Sequence, residues 1–389
     1  MTDARLDPPR GFPPEEFARR VERAQGYLRR DGLAALLVAS PQQVRYFTGF
    51  DTQFWESPTR PWYTVVPRDG LPIAVIPEIG EPGMRATWIR DIRTWPAPDP
   101  EDDGVSLLAS TLQEVVGTGA RVGAELGREY HLRMPIADLQ EVARRAGVEM
   151  ADGTGVIRSC RHVKSELEID KVRQACRIAS QAYAALPGLF SPSDTERSLV
   201  QKLRADLIRR GADTSPYLIG VAGQGGYDNI IMGPTDRQLQ DGDVLTIDTG
   251  TLWDAYFCDF NRNWAVGHAD DAVQRAYRNV WQATEAGLRA ARPGVRARDV
   301  WLAMAQTMGA DSLGNVGRLG HGLGLQLTEP PSNHPGDETV LEAGTVLTLE
   351  PGYEFAPGHL MVHEEDIVIR EEGAELLTER APAELPILS

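Results

Sequence analysis

Apolar positions along the chain recur with two periods, and each period marks a kind of element. From Pro14 to Arg30, Phe17, Val21, Ala24 and Leu28 fall at helical spacing, which predicts an amphipathic helix. Gly32 to Ser40 is a nearly continuous apolar run, read as a buried strand. Pro41 then opens a short helix over 42–49, which Gly49 ends. Tyr63 to Val66 and Leu71 to Ile76 are two strands joined by the turn signal Pro67-Arg-Asp-Gly70. After a helix-rich stretch come a strand at 121–125 and a helix at 137–146. Strands alternating with helices to about residue 155 predict an α/β domain with a mixed sheet.

A break near Ile157 to Lys164 divides the chain into domains 1–157 and 158–389. Beyond it, Ser165-Glu-Leu-Glu168 has the form of a capping box and starts a helix through Val172, Ala175, Ala179 and Ala182. A second helix spans Asp194 to Gly211. The glycine-rich run Gly220 to Gly226 precedes no helix, so it reads as a sheet edge or loop rather than a phosphate cradle. Two more helices, 272–291 and 300–308, follow Asp271 and Asp299, which suit the N-cap position.

Two β-ribbons in this second region carry acids. The apolar run Val244 to Ile247 ends in Asp248, and Tyr256 to Trp264 is its return strand. A turn about Trp253-Asp254 sets Asp248 opposite Asp259. Directly opposed residues lie about 4.5–5.5 Å apart, close enough for two carboxylates to repel and for one pKa to rise. Thr345 to Leu349 leads likewise into Glu350, and a turn about Pro357-Gly358 sets Glu350 opposite Glu365. His321 lies between the ribbons, flanked by Gly320, Gly322 and Gly324. Acids that end apolar strands need compensation. Four carboxylates and one imidazole form a ligand set for two divalent ions, and its oxygen-rich character favours manganese, with zinc or cobalt as alternatives.

Composition narrows the functional classes. With 40 basic and 56 acidic residues the net charge is −16, which argues against nucleic acid or an anionic membrane as partner. No apolar stretch nears the ~20 residues of a membrane span, and the N-terminus lacks an apolar signal core. Cys160, Cys176 and Cys258 have no paired spacing, which fits a reducing cytoplasm and excludes a cysteine-bound zinc.

The segments Gly242-Asp-Val-Leu-Thr-Ile-Asp248-Thr-Gly, Asp259-Phe-Asn-Arg262, His321-Gly-Leu-Gly324, Leu349-Glu350-Pro-Gly352 and Glu365-Asp366 together resemble the pita-bread metallopeptidase family. That family includes Xaa-Pro aminopeptidases, prolidases and creatinases. Val44-Arg45-Tyr46-Phe-Thr-Gly-Phe50 is similar to the creatinase-type N-terminal domain, which selects the two-domain branch. The resemblance implies an α/β creatinase-like N-terminal domain plus an α+β pita-bread catalytic domain. It implies metal ligation by Asp248, Asp259, His321, Glu350 and Glu365, with Asp259 and Glu365 bridging. Glu350 would carry a proton from water to the leaving nitrogen, and Tyr217 would stand near the metals.

The chain departs from that pattern in three places. Thr328 occupies the position of a second, substrate-contacting His, with His334 nearby as a substitute. The stretch Asn229-Ile-Ile-Met-Gly-Pro lacks a substrate-facing His. His363 replaces an Arg two residues before the last ligand, counted from Glu365. Arg45 is a candidate fork for a substrate carboxylate. The aromatic loop Phe54 to Tyr63 is read as a dimer contact or a lid. These features imply a cytoplasmic, homodimeric, manganese-dependent hydrolase of Xaa-Pro dipeptides. The alternatives are a non-peptidase of the same fold acting on a small zwitterion, such as dimethylsulfoniopropionate or an ectoine-type solute, and a catalytically inactive binding module.

Overall fold

Every residue from Ile73 to Pro77 is buried, because this strand has a core on each face. Ile73 and Val75 face one cluster with Leu37, Tyr63, Leu108 and Val142. Ala74 and Ile76 face a second cluster with Phe50, Trp62, Met84 and Ile89. The pattern is that of a central strand in a sheet covered on both sides. The computed structural model describes residues 8–309 and 317–389, in two units, Pro9–Arg161 and His162–Ser389. The sequence boundary at 157/158 falls inside a helix, Thr154–His162.

In the first unit the strands are β1 (Ala35–Val38), β2 (Tyr63–Pro67), β3 (Ile73–Pro77), β4 (Asp91–Trp95), β5 (Arg121–Ala124) and β6 (Glu149–Asp152). They form one sheet in the order β4-β3-β2-β1-β5-β6. It is mixed: β1–β2 and β2–β3 are antiparallel, and the other pairs are parallel. The two strands that the apolar pattern does not reveal, β4 and β6, are the sheet's edges. Arg93 of β4 spends its charge on Asp91 and Glu114, so the edge reads as polar. The helices are α1 (Pro14–Asp31), α2 (Pro41–Thr48), α3 (Glu81–Arg85), α4 (Val105–Val116), α5 (Ile136–Ala146) and α6 (Thr154–His162).

The second unit contains α7 (Glu166–Leu189), α8 (Glu196–Arg209), α9 (Asp271–Ala290) and α10 (Ala297–Met308). The capping box of α7 forms: Ser165 Oγ accepts from the Glu168 N–H, and Glu168 Oε2 accepts from the Ser165 N–H at 2.9 Å. Asp270, not Asp271, caps α9, and α10 follows Arg296, so Asp271 and Asp299 lie within first turns. One sheet runs β18-β10-β8-β7, from β7 (Thr214–Gln224), β8 (Asp243–Trp253), β10 (Phe260–Val266) and β18 (Ile387–Leu388), with β9 (Tyr256–Phe257) paired to β8. The glycine-rich run thus lies on an edge strand, β7. The other sheet runs β12-β11-β13-β16-β17, from β11 (Gly320–Gly322), β12 (Glu329–Ser332), β13 (Val346–Leu349), β16 (Glu365–Arg370) and β17 (Gly373–Leu376). A separate ribbon pairs β14 (Gly352–Ala356) with β15 (His359–Val362). Tyr183 of α7 donates to the carbonyl of Ile247 at 3.0 Å, which ties that helix to the first sheet.

The aromatic loop packs on its own unit. Trp62 is 2% exposed, with its ring centroid 4.9 Å from Phe50 and 5.9 Å from Trp55. A side chain so enclosed offers no surface to a partner, which corrects the interface expectation for Trp62. Phe54, 44% exposed, is what the loop leaves outside. Trp62→Ala should therefore cost about 3–5 kcal/mol in denaturant unfolding. Phe54→Ser should stay within about 0.5 kcal/mol.

Candidate active site

The turn that closes the first ribbon centres on Asp254 and Ala255, both at positive φ, one residue later than expected. Asp248 consequently pairs with Asn261, not with Asp259. The slip is by two residues, so both acids stay on the same face and remain diagonal neighbours. Tyr217 and Ile219 of β7 join that face, Ile219 directly across from Asp248.

The second ribbon behaves differently. Its turn does centre on Pro357-Gly358, with Ala356 opposite His359. A bulge between Glu354 and Ala356 then shifts the register by one. Leu349 pairs with Glu365, and continuing that register sets Glu350 across from Glu364. A one-residue slip exchanges the faces of a strand. Glu364 therefore enters the site, and Glu365 points away from it.

A cavity of about 210 Å³ gathers the result. It is lined by Tyr217, Asp248, Asp259, His321, Glu350 and Glu364, with Thr328 and Arg318 also on its wall. Oxygens of Asp248, Asp259 and Glu364 all lie within 4.8 Å of one another. His321 is 3% exposed, and its Nδ1 donates to the Gly322 carbonyl at 2.8 Å. Its Nε2 is then the bare nitrogen, 3.2 Å from Asp259 Oδ2. Two lone pairs at that distance require a proton or a cation between them. The flanking glycines let β11 lie between its neighbours: a Cβ on Gly320 would meet the Thr348 carbonyl at 2.1 Å.

Electrostatics shows the same crowding. Burial pushes Asp259 well above the usual carboxylate range. Glu364 is pushed well up by burial and then by Asp248, Glu350 and Asp259. Asp248 and Glu350 stay partly open to the cavity, and each is raised to about 7, first by desolvation and then by neighbouring charge. Asp248 Oδ1 is buried with no hydrogen-bond partner among the described residues. An orphaned oxygen, a bare imidazole nitrogen and four acids fit bound divalent cations.

The comparisons with known proteins agree with this chemistry. Residues 170–372 match metallopeptidase family M24, and residues 20–163 match the creatinase/prolidase N-terminal domain. The chain belongs to metallopeptidase family M24. It is 29% identical to a protein of Mycobacterium tuberculosis named a probable dipeptidase, PepE, over 97% of this chain and 98% of that protein. It is 29% identical to the Xaa-Pro dipeptidase of Pyrococcus horikoshii, over 63% of this chain and 71% of that one. The crystal structure of dipeptidase PepE from Mycobacterium ulcerans superposes with a TM-score of 0.84 at 27% identity, over 97% of this chain and 99% of that one. The two-domain creatinase and pita-bread architecture follows, and the protein is a peptidase of this metal-dependent family.

Several residues singled out in this M24 peptidase lie elsewhere. Glu365 accepts from Arg262 at 2.9 Å, Arg380 at 3.0 Å and the Ala381 N–H at 2.9 Å. Burial alone would raise its pKa, but Arg262, His363 and Arg380 hold it at about 2. His363 sits beside it, with Thr284 at 2.9 Å and Arg380 at 3.2 Å, and burial lowers it to about 3. It is therefore neutral at physiological pH and is not on the cavity wall. His334 is exposed on a turn, accepting from the Gly336 N–H. Arg45 pairs with Asp51 within the first unit. Counted from Glu364, the position of the expected Arg is Val362, which lines the cavity. Glu364 and Arg318 went unnoticed in the sequence. The run Glu364-Glu365-Asp366 was the available sign for the first, since alternate acids on a strand face opposite ways.

Asp248 and Glu350 bind their protons more tightly folded than unfolded. Such groups contribute fully below their unfolded pKa, about 4, and that contribution is lost as pH rises through about 7. Metal-free protein should thus lose stability between about pH 4 and 7, by roughly 1.4 kcal/mol per pH unit for each such group. Glu364→Gln should flatten that slope. Glu365→Gln should instead cost about 3–5 kcal/mol by stranding Arg262 and Arg380. Thermal melts across pH read both effects, and a flat wild-type profile would speak against the crowded cluster.

Proposed function

We propose that this peptidase is a dinuclear hydrolase that cleaves Xaa-Pro bonds in dipeptides. The observation that carries the reading is the convergence of Asp248, Asp259, His321, Glu350 and Glu364 on one cavity of dipeptide size. In this reading Asp248, Asp259, His321, Glu350 and Glu364 would hold the ions. Manganese suits the oxygen-rich set. Divalent cations bound there supply water activation and polarisation of the scissile carbonyl.

The chain's own groups do the rest. Asp366 accepts from the Asp259 N–H at 2.8 Å and fixes that residue from behind. Arg262 donates to the Glu364 carbonyl at 2.9 Å and fixes that ribbon end. Glu350 moves the proton, taking it from water and delivering it to the leaving nitrogen. Tyr217, on the cavity wall with Asp248, keeps its proton because burial and nearby acids push its pKa far up, so it serves as a donor. A homodimer in the cytoplasm remains part of the proposal, carried by the family resemblance and by three buried cysteines that form no disulfide among the described residues. Among the described residues no helix is long and apolar enough to cross a membrane.

A second reading, a same-fold enzyme on a small zwitterion, draws on Thr328, which stands on the cavity wall where a substrate-contacting His was expected. Manganese-loaded protein assayed side by side on Ala-Pro, Met-Pro, a proline tripeptide and dimethylsulfoniopropionate separates the readings. Ala-Pro and Met-Pro should be turned over fastest, and exhaustive chelation should abolish the activity. Asp259→Asn should lose both bound metal, by atomic emission, and turnover. Full metal content in that variant would remove Asp259 from the ligand set.

A further inference from the structure

Among the described residues the wall of the cavity carries one cationic side chain. Among its lining residues Arg318 is the only Arg or Lys, set against Asp248, Asp259, Glu350 and Glu364. It is exposed, and it makes no hydrogen bond or ion pair with any described residue. Most arginines of this unit near the site are already committed, Arg262 and Arg380 to Glu365 and Arg173 to Glu375. Arg45, the anchor expected from sequence, is committed to Asp51. Val362, at the position expected to hold an Arg, has no charge to offer.

We propose that Arg318 is the substrate-carboxylate anchor of this active site and restricts it to short peptides with a free C-terminus. This rests on the dipeptidase reading and specifies which group of the substrate is recognised. The charge count supports it. Four carboxylates balance two divalent cations, His321 is neutral, and Arg318 then leaves one unmatched positive charge in a small cavity. A dipeptide's carboxylate supplies the missing negative charge, and guanidinium binds it through two parallel N–H···O bonds. A peptide amide or a longer chain puts a neutral carbonyl in that place. The remaining wall mixes apolar residues such as Ile219, Ile230 and Leu327 with the neutral polar groups of Thr246, Asn261 and Thr328, so among the described residues it offers no rival cation.

The test is the ratio of kcat/KM on Ala-Pro to that on Ala-Pro amide, and on Ala-Ala to Ala-Ala amide, in manganese-loaded wild type, Arg318→Ala, Arg318→Lys and Arg45→Ala. Metal content is measured for each. Calorimetric titration with proline and prolinamide gives a readout independent of turnover. Arg318→Ala should reduce the acid-to-amide ratio by about 10- to 100-fold and proline binding similarly, with Arg318→Lys between. Arg45→Ala should keep the wild-type ratio. If Ala-Pro is preferred but Arg318→Ala keeps the ratio, or if Arg45→Ala collapses it, the anchor is overturned while the proline reading stands. If Ala-Ala is cleaved as well as Ala-Pro and the ratio collapses in Arg318→Ala, the anchor stands and proline specificity falls. If wild type cleaves neither dipeptide and does not bind proline, both fall.

Discussion

Four carboxylates lining one cavity, three of them with oxygens within 4.8 Å of one another, are the constraint on which the rest of this molecule depends. No arrangement of hydrogen bonds satisfies such a cluster by itself, because every member is an acceptor when ionised. The sheet backbones hold the acids in place and make their mutual repulsion unavoidable. In the absence of cations burial first, and then neighbouring charge at Asp248, Glu350 and Glu364, favours keeping protons, so Asp248, Asp259, Glu350 and Glu364 all shift upward. Binding a divalent ion must then release protons. Catalytic capacity and the stability of the metal-free protein are two consequences of one electrostatic frustration.

Just behind the cluster the chain solves the opposite problem. Glu365 is fully buried, yet it is surrounded by Arg262, Arg380, Thr378 and the Ala381 N–H, and its pKa falls rather than rises. Adjacent residues in a strand can live in such contrary surroundings because their side chains leave opposite faces. Arg262 joins the two environments: one nitrogen holds the Glu365 carboxylate and another holds the Glu364 carbonyl. A desolvated ion pair adds little net stability, but it leaves few alternative positions for the backbone that presents Glu364.

This also explains how much could be read from the chain. The periods of apolar residues locate the main helices and central strands, and the capping box of α7 forms as its residues foretell. The edge strands β4 and β6 escape because a strand covered on one side needs fewer apolar residues. In the site, the outcome turned on parity. Both ribbons depart from the pairing that simple turns predict, the first by two residues and the second by one. An even slip preserves the face, so Asp248 and Asp259 reach the cavity despite a misplaced turn. An odd slip reverses it, and the bulge at Glu354 to Ala356 exchanges Glu365 for Glu364. A bulge has no firm mark in a sequence whose strand residues could pair either way.

The substrate side of the cavity is less legible than the metal side for a related reason. Buried acids announce themselves, since an apolar strand ending in Asp or Glu calls for an explanation. A surface Arg does not, since most arginines are exposed and solvated. Arg318 stands out only once the cavity exists and every nearby carboxylate has been accounted for. Acids belong to cations, Glu365 belongs to Arg262 and Arg380, and among the described lining residues one guanidinium is left facing the space where a substrate must sit. In that proposal specificity resides in a residue left without a partner among the described residues.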